Sequence, residues 1–367
     1  MINKICDVWG LFHDKIVLLK PLLSTLLNLV VDNSVNIPEI KLFLDKVRKI
    51  VTWFHQSAVG AEELRQTQTL QNVGEGKLKH LVGDVSTRWN SQLYMIERFV
   101  LMSSNIGSVL IKHPNAPPML QANEIVVLKD IEKFLKPFHS VTEEMSAEKY
   151  VTSSKAIPII KCLRTVLDTV TPISDLAKQL KHSLQSEFNK RFENIQKVHL
   201  FSVATFLDPR FKKIHLDDDP LSLSKTITYT NKCLNWNTKN DDNSGAASSE
   251  SSVSSATVDG HDIWQVHREK IMALTSNLSI VKNAELDLYV AALHLTVDPL
   301  NFWKSSEGTF PKLTELALKH LSVMATSAPS ERLFSKAGNM VRKTRNRILG
   351  KRLSKLLFLN CLPENLW

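Results

Sequence analysis

The sequence is poor in the residues that build all-β folds and extracellular scaffolds. Its 367 residues include only 11 glycines against 14 prolines, while leucine, lysine and isoleucine are plentiful. That balance leans away from a sandwich or barrel, whose many short strands call for frequent turn residues. The four cysteines, Cys6, Cys162, Cys233 and Cys361, lie far apart, with no C-x-x-C and no C-x-x-H. They match neither a zinc finger nor a disulfide framework, and isolated thiols suit a reducing compartment. The longest uncharged apolar run near the start, Pro21 to Val31, has 11 residues, against the ~20 needed to cross a bilayer. No basic segment, apolar core and small-residue cleavage site combine into a signal peptide. A soluble chain with no membrane partner is the expectation. A phosphate-binding loop is missing as well: Lys77 follows Gly76, but Leu78 stands where Ser or Thr is required, and no glycine lies five positions before Gly76.

What is present is apolar material and a polarised charge. Hydrophobic residues make up 43% of the chain, enough to bury a sizeable core, and the length suggests two or three domains. Lys and Arg outnumber Asp and Glu by 46 to 37. From Glu331 to the end, nine basic residues face two acids, so +7 of the net +9 is packed into the last 37 residues. A field of that sign favours a polyanion, most commonly nucleic acid. A solvated helix face is the alternative reading of the same residues.

Along the chain the period is helical. Ile40, Phe43, Leu44, Val47, Ile50, Val51 and Phe54 fall on one face, with Pro38 placed for a first helical turn. Gly74 and Gly76 mark a loop. A helix is predicted from about Ser91 to Ile111, and another over 123–145, which Pro137 should kink or break. Helical patterns continue through 155–202. Seven of the twelve residues from Ser244 to Ser255 are serine, so 235–262 reads as a disordered linker. Ile263 to Val297 is helical again and the basic segment follows. The predicted organisation is a helical region over 1–234, the linker over 235–262, and a C-terminal module over 263–367.

Three signatures occur in order. The first runs from Asp84 through Arg88 and Trp89 to Ser91, followed by Met95, Glu97 and Arg98. The second is Leu207-Asp-Pro-Arg-Phe-Lys212. The third runs from Ala325 through Pro329, Glu331, Arg332, Leu333 and Phe334 to Asn339, preceded by Glu285, Asp287 and Tyr289 and by Asp298-Pro-Leu-Asn-Phe-Trp303. Together they resemble the hAT superfamily of transposases and the zinc finger BED domain-containing proteins related to it, over roughly Leu26 to Trp367. The resemblance implies a ribonuclease H-like core in which two aspartates and a glutamate hold two divalent metals for phosphodiester chemistry. It also implies a helical domain inserted before the glutamate, a dimerising C-terminal region, and often an N-terminal BED finger.

Glu331 matches the family's catalytic glutamate, although Pro329 should start a helix whose first turn favours a carboxylate for structural reasons alone. Leu333, Phe334, Ala337, Met340 and Val341 then form a stripe to be buried. The matching aspartates are missing: the family's Cys and His positions fall on Leu22 and Thr25, and neither Asp7 nor Asp14 has the right neighbours. A lone Glu331 cannot hold two metals, so no metal centre and no cofactor are expected; magnesium would enter only with aspartates supplied by a longer form. Arg88 and Trp89 match an Arg-Trp pair that handles DNA in active relatives, but a base-stacking ring must be exposed. Asp208 and Arg210 suit a turn with an internal ion pair. With no BED finger in the sequence, DNA contacts fall to Arg342, Lys343, Arg345, Arg347, Lys351, Arg352 and Lys355, reaching phosphates. Leu353, Leu356 and Leu357, with Leu333, Phe334 and Met340, are the expected dimerisation residues.

The expected fold is mainly α: a helical insertion domain plus a C-terminal remnant of a ribonuclease H-like α/β core, with a short strand near Leu321 to Ala325. The expected protein is transposase-derived, nuclear, catalytically inactive and homodimeric, with DNA as a possible partner and no small-molecule substrate. A truncated form of an active transposase is the alternative.

Overall fold

A computed structural model of the chain describes residues 23–85, 89–146, 151–236, 284–326, 328–341 and 350–361. Its described residues form α-helices joined by turns and short 3-10 segments, with no strand among them. The first, α1 (Leu23–Val35), is followed by α2 (Pro38–Gln56) and α3 (Ala58–Leu70). Pro38 opens α2, and the side chains it buries are Ile40, Phe43, Leu44, Val47, Ile50, Val51 and Phe54, the face read from the sequence. Ser57 caps α3, its hydroxyl accepting from the Gly60 amide at 3.0 Å. Gly60 is there because the Trp53 ring lies against it: a Cβ would stand 2.6 Å from that ring.

Two helices, α4 (Trp89–Leu101) and α5 (Ser103–Leu110), occupy the stretch predicted as one. The break falls at Met102, where the backbone leaves helical geometry. Next comes α6 (Ala122–Met145), which runs unbroken through Pro137, a correction to the expected kink. Proline removes one amide donor there, but α6 packs against α1, α4, α7 (Ala156–Thr169) and α8 (Asp175–Phe192), and burial of Phe134, Leu135, Phe138 and Val141 holds the line. Asp130 of α6 is buried and accepts from the Ile173 and Ser174 amides at 2.9 and 3.1 Å, so a carboxylate stabilises the start of α8.

The chain continues with α9 (His199–Phe206), α10 (Pro220–Trp236), α11 (Ala284–Ala291), α12 (Pro299–Ser305) and α13 (Pro311–Leu321). Of the predicted helix from Ile263 to Val297, the described portion is helical only over Ala284–Ala291; its earlier part and the 235–262 linker lie almost wholly outside the described residues. Leu286, Tyr289, Trp303, Leu313, Ala317 and Ala325 join the hydrophobic core that begins at Leu23. Residues 284–326 therefore complete the core of the preceding helices. The strand expected near Leu321 to Ala325 is not formed: α13 runs to Leu321, and Ala325 is instead tied by its carbonyl to the Leu23 amide at 3.3 Å and by its amide to the Thr152 hydroxyl at 3.0 Å. The last two helices, α14 (Ala328–Met340) and α15 (Gly350–Cys361), pack on each other.

Candidate dimerisation and nucleic-acid interface

Among the described residues of α14 and α15, no side chain is buried. Leu333 is 41% exposed, Phe334 75%, Leu356 45% and Phe358 66%. Met340, Leu353 and Leu357 are half-buried, and Leu359 is exposed. Among the described residues the stripe predicted to be buried is only partly covered, with Ala337 and Met340 half-buried and Leu333, Phe334 and Val341 exposed: amphipathic spacing drives helix formation, but a hairpin of two helices shields only one side of each. Phe358 and Leu359 extend the apolar surface beyond the predicted set, and their place in the run Leu356 to Leu359 was the signal for them. Arg332 ties the hairpin back to the body, its guanidinium donating to the Ser146 carbonyl at 2.9 Å.

Basic residues share that hairpin. Lys351, Arg352 and Lys355 are exposed on α15 beside the leucines, a mixture suited to an interface core with a phosphate-facing rim. Arg342, Lys343, Arg345 and Arg347 lie outside the described residues, as does Arg88. The backbone of Glu331 sits in the first turn of α14, as read from Pro329. Among the described residues no group of three His, Cys, Asp or Glu side chains comes together as metal ligands.

Trp89 is 3% exposed, and its indole N–H donates to Asn28 Oδ1 at 2.7 Å. This corrects its place among the DNA-contacting residues: stacking on a base needs a free ring face, and α1 and α6 cover this one. Asp84 pairs with Arg48 at 2.8 Å.

The second signature is a joint. Asp208 is fully buried and accepts from Arg210 Nε at 2.9 Å, from the Arg210 amide at 3.0 Å and from the Ser154 hydroxyl at 2.6 Å. This is the turn with an internal ion pair read from the sequence. The carbonyl of Leu207 accepts from the Trp303 indole at 2.8 Å, and that of Phe206 from the Tyr289 hydroxyl at 3.0 Å. Burial raises the Tyr289 phenol well above its ordinary value, with the nearby Asp208 charge adding to it. Lys212, held at φ 45°, sends its ammonium to the carbonyls of Tyr289, Ala292 and Leu293, so it closes the C-terminal end of α11. Burial lowers its pKa to about 8. Opposite, the buried segment 151–155 adds Ser153 donating to the His320 carbonyl at 3.1 Å. Lys212 stood in the second signature with no role read for it, and Ser153 was not singled out in the sequence; a charged or hydroxyl side chain has no period that announces its burial. In the third signature, Glu285 caps α13 through the Leu313 amide at 3.0 Å and Asp298 caps α12.

Residues 285–361 match the hAT family C-terminal dimerisation region, and residues 21–134 match the ZBED1 RNase-like helical domain. Zinc finger BED domain-containing protein 4 of Homo sapiens is 22% identical over 345 residues, covering 92% of this chain and 28% of that protein. A Zea mays protein named as an AC transposase is 24% identical over 370 residues, covering 94% of this chain and 43% of that protein. The chain spans less than half the length of these curated relatives. No described helix is long and apolar enough to cross a membrane. The order of signatures, the helical body and the two matched regions agree: this is a hAT transposase-like protein that carries the family's C-terminal dimerisation region.

Proposed function

We propose that the chain acts in the nucleus as a transposase-derived homodimer that associates with DNA and performs no phosphodiester chemistry of its own. The observation that carries the reading is the α14–α15 hairpin, which lies within the dimerisation match yet leaves Phe334, Leu356 and Phe358 uncovered. A second copy is the occupant assigned to this apolar surface, because an isologous pairing buries the same patch on both subunits. Lys351, Arg352 and Lys355 at its edge, with Arg342, Lys343, Arg345 and Arg347 between the helices in sequence, would meet phosphates across the dimer, giving weakly sequence-specific, salt-dependent binding. The non-enzymatic part of the reading is supported by the sequence around Leu22 and Thr25, where the family's metal-site neighbours are replaced. The fold remnant is read on the same terms: α14, with Glu331 in its first turn, stands for the late helix of a ribonuclease H-like core.

Light scattering on the full chain tests the dimer. Wild type should run at twice the monomer mass, and Phe334→Asp/Leu356→Asp should run as a monomer with unchanged helical circular dichroism. A wild-type monomer at tens of micromolar would remove the reading. A second reading, a portion of a longer active transposase, is favoured by the alignment to 43% of the maize protein. An open reading frame upstream that encodes the two aspartates would establish it.

A further inference from the structure

Two rows of side chains on neighbouring helices lie open, and each is the complement of the other. On α2, Leu42, Lys46, Lys49 and Trp53 follow at steps of four, three and four residues. On α3, Val59, Glu63, Gln66 and Leu70 repeat those steps. Such steps keep side chains in one row and form the seam by which one helix lies along another. Both rows are turned away from the faces that α2 and α3 bury around Val47 and Leu64. Their apolar ends reach solvent, with Leu42 67%, Val59 62% and Leu70 83% exposed.

The α2 row also has relief. It forms one side of an open groove of about 550 Å³, to which Asn115 and Pro117 contribute from a loop. Trp53 lines that groove, half-buried and held in place. Its ring meets Phe54 edge-on at 4.9 Å and His113 at 5.3 Å, and Gly60 closes on it from α3. A ring fixed in advance loses little entropy when it is covered.

Charge sets the direction of pairing. Lys46 is bound to Glu124 at 2.6 Å and Arg48 to Asp84 at 2.8 Å, whereas Lys49 is exposed and has no ion pair among the described residues. The acid of the α3 row is Glu63, half-buried, with His113 at 3.2 Å and Lys112 at 3.9 Å. Laid antiparallel with Leu42 opposite Leu70, the rows place Lys49 opposite Glu63, Lys46 opposite Gln66 and Trp53 opposite Val59. A parallel arrangement would set Glu63 against Lys46, whose charge Glu124 already meets. With 42 opposite 70, 70 is also opposite 42, so one register serves both helices, which is the condition of an isologous contact.

We propose that α2 of one copy of this chain lies antiparallel along α3 of a second copy, and α3 of the first along α2 of the second. Both rows belong to the region matched as the helical domain and lie outside the dimerisation match. The contact is therefore separate from the α14–α15 hairpin and does not rest on it. About three turns of helix on each side make a small interface, of the class that associates weakly. It joins copies above tens of micromolar, and where hairpin dimers are present it links two of them.

Sedimentation equilibrium of the full chain is measured from tens to hundreds of micromolar. Wild type should pass from dimer toward tetramer, and Phe334→Asp/Leu356→Asp, which disables the hairpin, from monomer toward dimer. Leu70→Asp and Lys49→Glu should each weaken this step about tenfold. Both positions are exposed, so circular dichroism should stay unchanged. Glu63→Lys should weaken it as well. Mixing Lys49→Glu chains with Glu63→Lys chains should restore association, since each substitution supplies the charge that the other removes. The proposal is overturned if mass stays constant across the range in both wild type and the hairpin variant, if Leu70→Asp and Lys49→Glu leave the step unchanged, or if the mixture associates no better than either variant alone. Should Lys49→Glu lower binding to a paired DNA duplex while mass is unaffected, the α2 row faces phosphate and the contact is refuted. A wild type that passes from monomer to dimer with the same sensitivity to Leu70→Asp would remove the hairpin reading and support this contact.

Discussion

Lys212 and Tyr289 are joined twice: the Lys212 ammonium donates to the Tyr289 carbonyl at 2.6 Å and lies 4.8 Å from the centre of the same residue's ring. One side chain from the Asp208 turn therefore fixes both the end and the face of α11. Lys212→Met should cost about 1–3 kcal/mol, the range for leaving buried acceptors without a donor. Chemical denaturation of the full chain measures it.

The same lysine carries a pH signature. With the folded pKa at about 8 and the ordinary value at 10.5, the unfolded chain binds more protons between them. Stability contributed through Lys212 thus rises as pH increases across that interval. The difference in unfolding free energy between wild type and Lys212→Met should follow this rise, and a flat difference would contradict it.

Acid should act through a different joint. His199 of α9 packs edge-on to Tyr229 of α10 with ring centres 4.3 Å apart, and Tyr229 lies 5.8 Å from the His320 ring of α13. Burial lowers both imidazoles, and for His320 the neighbouring His199 and Lys319 lower it further. Below 6.5 the unfolded chain takes up protons that the folded one refuses, so stability falls with pH from that value down to the lowered folded values. The urea midpoint should drop between about pH 7 and pH 5, and His199→Gln/His320→Gln should flatten the drop.

Asp208→Ala should destabilise by about 3 kcal/mol, the lower end for breaking a buried ion pair, because Arg210 still reaches solvent. Asp208→Asn keeps an acceptor for Ser154 and Arg210 and should cost less. Thermal melts of the two variants, compared with wild type, separate the charge from the hydrogen bonds.

Gly60→Ala should cost about 1–3 kcal/mol by overpacking, since the added methyl meets the Trp53 ring at 2.6 Å. Pairing it with Trp53→Leu should recover part of the loss, which equilibrium unfolding of single and double variants would detect.

What could be read from the sequence was what is local. The buried face of α2 repeats every three to four residues, and the Asp208 turn closes within two residues, so both were legible. Pro137 misled because a local penalty was outweighed by packing from four other helices. Trp89 could not be assigned from its neighbours, because its partner Asn28 stands on another helix. The buried polar run Thr152, Ser153 and Ser154 was illegible for the same reason: its partners are Ala325, His320 and Asp208. For the candidate interface, the leucines of α15 showed in the pattern, whereas their exposure depends on which described helices reach them, and no local pattern carries that.

The bond between the Leu23 amide and the Ala325 carbonyl also sets a timetable. During synthesis the helix that is made first among the described ones waits, with part of its apolar face open, until residues through Ala325 have left the ribosome. The α14–α15 hairpin, which follows Ala325 in the chain, emerges after that closing contact. A nascent chain therefore exposes the apolar side chains of that hairpin only when the residues that shut its own interior are already available.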